Sequence, residues 1–178
     1  HTSEHLVCFP LGVFPNLRTL WLVNCEGLEK VYIPEGIEDG SLASLCDLSI
    51  GSCHALEMIG KETGRGEAAT ELPAPNLTNL LISMCGKVKP VVVEREGEVL
   101  LPKLQWLSID NSASGESPHS LTRSSFKFSC LTCLEIKGLE VECFPVPGEG
   151  LPTSLTLLSI LDFGKLRKLD GEAFLRLK

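Results

Sequence analysis

Apolar residues along this chain fall into a phrase that repeats. Between 45 and 59 the order LCDLSIGSCHALEMI sets apolar side chains at Leu45, Leu48, Ile50, Cys53, Leu56 and Ile59, with polar or small residues between most of them. The same spacing returns at Leu17, Leu20, Leu22, Cys25, Leu28 and Val31, and again at Leu77, Leu80, Ile82, Cys85, Val88 and Val91. Further copies begin at Leu104 (with Leu107 and Ile109), at Leu131 (with Leu134 and Ile136, and Leu139 in the cysteine slot) and at Leu155 (with Leu158, Ile160, Phe163, Leu166 and Leu169). The two central anchors of each copy are two residues apart, the period of a strand with one buried face. The phrase therefore predicts short strands near 19–23, 47–51, 79–83, 106–110, 133–137 and 157–161. Successive starts are separated by 28, 32, 27, 27 and 24 residues, so the strand is held constant while the return path varies. A short unit that cannot bury its own apolar face, repeated in this way, predicts a stack of units sharing one core.

Several stretches break the phrase. Phe9-Pro10 and Phe14-Pro15 suit a non-strand return segment rather than the centre of a sheet. Pro34 and Gly36 mark a loop on the far side of the first unit, and Val91 to Val93 suit a short strand there. Residues 60–72, GKETGRGEAATEL, read as a surface loop inserted between units. The fourth copy loses its pattern after Asp110, where polar residues 111–120 replace the usual return. Residues 170–178 read as the start of a further unit. The first residue is His1 rather than Met, so the chain reads as a piece of a longer protein, without a polar cap at either end.

The phrase resembles the leucine-rich repeat. That resemblance implies one domain over 1–178 of about six repeats, an α/β solenoid with a curved parallel sheet on its concave face. Irregular loops, short strands or helical turns would then form the convex face. A net charge of −7, with only 16 Lys and Arg spread along the chain, argues against a nucleic-acid or anionic-membrane surface. The one basic cluster, KLRK at 165–168, reads as a solvated face, and no apolar run is long enough to cross a membrane.

Eight cysteines raise the question of a disulfide scaffold, but Cys25, Cys53 and Cys85 share one phase of the repeat and are expected to stack as buried thiols. Reduced thiols favour a cytoplasmic location. Cys130 and Cys133 form a C-x-x-C without the second ligand pair that zinc needs. Residues 64–69 satisfy G-x-G-x-x-A formally, yet they lie outside any strand-turn-helix context. His1, His5, His54 and His119 lack metal-ligand spacing, and the Asn76-Leu77-Thr78 sequon places a repeat anchor at its centre. No catalytic residue, metal or cofactor is expected.

The phrase L-x-x-L-x-I-x-x-C-x-x-L, preceded by Pro-Asn-Leu at 15–17 and 75–77 and separated by IPEGI (33–37) and GEGLPTSL (148–155), gives a closer likeness. It resembles the C-terminal leucine-rich region of plant intracellular immune receptors of the nucleotide-binding, coiled-coil type. The family implies recognition of a pathogen effector or a guarded host protein, and an autoinhibitory contact with the receptor's own nucleotide-binding domain. The substrate-selecting repeats of a ubiquitin-ligase F-box adaptor are the runner-up, and an enzyme or a structural spacer are alternatives of other classes. On the recognition reading the partner meets the outward residues of the strands, with Trp21, Asp47, Leu81, Trp106, Asp110, Glu135 and Lys137 as the candidate contacts. Both tryptophans of the chain are among them, and the acidic members favour a partner that carries Lys or Arg.

Overall fold

The fold is a solenoid whose front is a six-stranded parallel sheet. Its rungs in spatial and chain order are Thr19–Val23, Asp47–Gly51, Asn79–Ser83, Trp106–Asp110, Cys133–Lys137 and Leu157–Leu161. These are the six strands the sequence predicts. The computed structural model describes residues 6–37, 39–62, 69–89, 91–92, 94–95, 97–110, 127–145 and 150–174. Register is uniform across the sheet, so Leu20, Leu48, Leu80, Leu107, Leu134 and Leu158 form one row, and Leu22, Ile50, Ile82, Ile109, Ile136 and Ile160 a second. Ten of these twelve side chains are buried; Leu158 and Ile160, on the last rung, are half-buried. A one-residue slip would turn a whole row into solvent, which is why the register is so strongly specified.

Each rung is preceded by one common turn, and five of the six are followed by another. Before the strand, the first anchor donates its N–H to the carbonyl three residues back: Leu17 to Phe14, Leu45 to Leu42, Leu77 to Ala74, Leu104 to Leu101, Leu131 to Phe128 and Leu155 to Pro152. In the four interior copies that residue is buried, so Leu42, Ala74, Leu101 and Phe128 add a layer to the core. After the strand the chain takes one left-handed step, at Asn24, Ser52, Met84, Gly138 and Asp162, with φ between 52° and 71°. This conformation costs an ordinary L-residue about 1–2 kcal/mol and suits Gly, Asn and Asp best. It turns the next side chain inward, which is where Cys25, Cys53 and Cys85 stand.

The back of the solenoid carries a second, thinner sheet. Cys8–Pro10, Lys30–Tyr32 and Met58–Glu62 run parallel; Thr70–Glu71 then pairs antiparallel with Met58–Glu62 and parallel with Val91–Val92. Two expectations are corrected here. Phe9 and Pro10 are in a strand, tolerated because it is the edge of this sheet. The stretch 60–72 is not simply a loop: its ends are paired strands, and Leu72 is fully buried; residues 63–68 between them are outside the described residues, as is the polar stretch 111–120. The short strand expected from Val91 is present as Val91–Val92, and a turn falls at Glu35–Gly36 as Pro34 and Gly36 suggest.

The α component of the expected α/β class is nearly absent. Among the described residues helix is limited to 3-10 turns at Asp39–Leu42 and at Lys127 and to the four-residue helix Gly171–Phe174, which stands where a further unit was expected. One continuous apolar core, from Leu11 to Leu155, fills the space between the two sheets.

Candidate functional site

Three rows of outward side chains cross the front sheet. At the strand starts stand Thr19, Asp47, Asn79, Trp106, Cys133 and Leu157; in the middle Trp21, Ser49, Leu81, Ser108, Glu135 and Ser159; at the strand ends Val23, Gly51, Ser83, Asp110, Lys137 and Leu161. Trp21 is 74% exposed and Trp106 45%, with two rungs between them. Leaving so much indole in water is unfavourable at about 25 cal/mol per Å² of apolar surface, so the open front face is not explained by folding alone.

The two tryptophans flank a depression of about 220 Å³, lined also by Asp47, Ser49, Asn79 and Leu81, with Leu48 and Leu80 of the core beneath. It exists because the rungs between the indoles carry small or short side chains in the middle row. Among the described residues Asp47 supplies the only charged side chain in its wall. The carboxylate is held from both neighbouring rungs: Thr19 Oγ1 donates to Oδ2 at 3.3 Å, and Asn79 Nδ2 donates to Oδ1.

The candidate contacts thus divide in two. Trp21, Asp47, Leu81 and Trp106 come together around the depression. Asp110 and Lys137 lie at the far ends of the strands and engage each other, with Lys137 Nζ 3.3 Å from Asp110 Oδ2 and 3.8 Å from Asp162 Oδ2. Glu135 stands in the middle row between Ser108 and Ser159, outside the depression. It also faces Cys133 two residues along, whose thiol burial, and secondarily the Glu135 charge, push upward in pKa. Ser49 and Asn79 complete the wall, and sequence reasoning did not single them out. Their signal was positional only, since a serine on a strand reads as filler until its neighbours are known to be tryptophans.

The remaining candidates for chemistry have structural roles or lie apart. All eight cysteines are free, and Cys53 and Cys85 are buried with their S–H groups near strand carbonyls: Cys53 Sγ is 3.4 Å from Gly51 O, and Cys85 Sγ is 3.2 Å from Ser83 O. Cys25, expected to be buried with them, is only half-buried because it belongs to the first rung, which has no neighbour on one side. Asn76 of the sequon is occupied, donating to Ala43 O at 2.6 Å and accepting from Lys103 Nζ at 2.6 Å, while Leu77 is fully buried. In the basic cluster Lys165 pairs with Glu140 at 3.0 Å and is largely exposed. Residues 64–68 of the glycine motif, and His1, His5 and His119, are outside the described residues. Among the described residues no group of three or more His, Cys, Asp and Glu side chains is placed to hold a metal, and no helix is long and apolar enough to cross a membrane. Comparison with protein-family models, curated proteins and solved structures gives no match.

Proposed function

We propose that this chain is a leucine-rich repeat recognition module, and that its front sheet binds a protein partner. The observation that carries the reading is the pair of exposed tryptophans flanking a depression on an otherwise ordered sheet. Trp is among the residues that most often anchor protein interfaces, and a parallel ladder presents its outward side chains as one continuous surface. The repeat phrase further supports the repeat region of a plant intracellular nucleotide-binding immune receptor of the coiled-coil type. The partner is then a pathogen effector or a guarded host protein, and the receptor's own nucleotide-binding domain is a second, autoinhibitory contact. Eight free cysteines agree with a cytoplasmic setting, where thiols stay reduced.

The test is affinity capture from plant cytosol with the chain and with a Trp21→Ala, Trp106→Ala double variant whose circular dichroism matches the parent. Both side chains are substantially exposed, so the double variant should fold. Partners captured by the parent and lost from the variant are the expected result. Equal capture by both would remove the front sheet from recognition and sink this reading.

A further inference from the structure

The chemistry of the partner can be read one step further, on the footing that the front sheet is a recognition surface. We infer that the depression between Trp21 and Trp106 takes an arginine side chain from the protein partner, with its guanidinium on the Asp47 carboxylate. Size comes first. The depression, about 220 Å³ and open to solvent, is large enough to take one long side chain.

Charge comes next. Among the described residues Asp47 is the only charged side chain in the wall, and the outward residues of all six rungs carry three acids, Asp47, Asp110 and Glu135, against one base, Lys137. That base is already engaged by Asp110 and Asp162, so the surface as a whole favours a cation.

Geometry then separates arginine from lysine. Thr19 and Asn79 donate to different oxygens of Asp47, which fixes the plane of the carboxylate. Each oxygen has two acceptor sites, so both retain one for a forked donor. A guanidinium presents such a fork and also stacks on indole faces, whereas an ammonium is a compact point charge that fits neither feature as well. Leu81 and the two indoles give the apolar stem a surface to lie on. Because the acid is held in place before the partner arrives, little ordering remains to be done on binding.

The chain has only two tryptophans and both flank the depression, so intrinsic fluorescence reports from this place alone. The probe is a short peptide with one arginine between capped glycines, compared with the same peptide carrying citrulline, which keeps the shape and removes the charge. A saturable fluorescence change with the arginine peptide is expected, with about tenfold weaker binding for citrulline and a similar loss in Asp47→Asn. Lysine in place of arginine should fall between them.

Equal binding of the citrulline and arginine peptides overturns the inference, as does the lack of any saturable change. The peptide comparison is made on the unaltered chain, so it stands even if Asp47→Asn folds poorly. Failure of the two readings is distinguishable. If the captured partner is lost from the tryptophan double variant while arginine and citrulline peptides bind alike, recognition stands and the arginine slot falls. If the partner is kept by that variant, recognition by the front sheet falls whatever the peptides do.

Discussion

Cys53 and Cys85 illustrate how one residue position carries a structural duty that ordinary hydrophobic counting does not describe. The strand-end carbonyls of Gly51 and Ser83 accept the N–H groups of Asn24 and Ser52 from the preceding rung, and the thiols of Cys53 and Cys85 are small enough to bury beside them as weak second donors. Burial pushes both thiols up, Cys85 from the ordinary 9.0 to about 11. In the unfolded chain the thiol loses its proton near 9, while the folded chain holds it to about 11, so the folded state binds more protons between these values. Stability is therefore intact below pH 9 and falls as pH rises from 9 to 11. Alkaline unfolding has other contributors, so the useful quantity is a difference. Urea midpoints measured for the parent and for Cys85→Ala should converge as pH rises through this window, although the parent is the more stable at pH 7. Parallel curves would remove the thiol from the alkaline slope.

At the scale of the element, Gly60 decides how the back sheet is built. It sits in Met58–Glu62 with φ of 100°, at the point where parallel pairing to Lys30–Tyr32 gives way to antiparallel pairing with Thr70–Glu71. A Cβ there would overlap the Glu71 carbonyl, and the backbone conformation is itself closed to other residues. Gly60→Ala should therefore cost on the order of 3 kcal/mol, read as a lowered urea midpoint, against about 1 kcal/mol for Gly36→Ala, where the positive φ strains an alanine although the space around it is open, and a few tenths or less at Gly40. An effect at Gly60 no larger than at Gly36 would mean that the pairing switch is not constrained. The same contrast marks what the sequence made legible. The front strands were readable to the residue because two anchors at period two, repeated six times, admit one register. Apart from Val91–Val92, which its valine run announced, the back strands are two to five residues long and several owe their pairing to neighbours some thirty residues away, as Tyr32 does to Gly60, so no local pattern announces them. The buried turn residues Ala74 and Phe128 were missed for another reason. Their slot holds Phe, Leu, Ala or Pro in different copies, and only the shared N–H to carbonyl turn reveals it. The tryptophans and Asp47 were legible as outward-facing, but that they enclose a depression depends on the small residues between them.

For the whole molecule, stacking means that each rung touches only its neighbours, so stability should vary along the axis rather than be a single number shared by all parts. The fifth rung has strands on both sides, and its anchors Leu134 and Ile136 are fully buried; the sixth pairs on one side only, and Leu158 and Ile160 are half-buried. Large-to-small substitution in a closed core costs both the lost transfer energy and the cavity left behind, whereas a half-exposed site relaxes or admits water. Leu134→Ala should thus destabilise the chain by about 3 kcal/mol and Leu158→Ala by about 1 kcal/mol, measured from urea unfolding. Amide hydrogen exchange gives the independent check on the parent chain. The N–H groups of Asn79–Ser83 and Trp106–Asp110 should be the slowest, and those of Leu157–Leu161 should exchange through local opening well before global unfolding. Uniform protection from the first rung to the sixth, with equal costs for Leu134→Ala and Leu158→Ala, would show that the stack unfolds as one cooperative block. The depression between Trp21 and Trp106 spans the first to fourth rungs, so on the graded picture its floor on the second to fourth rungs is well protected while Trp21 stands on the edge strand. A rigid floor of that kind is what lets two exposed indoles and one fixed carboxylate hold their spacing while a partner docks.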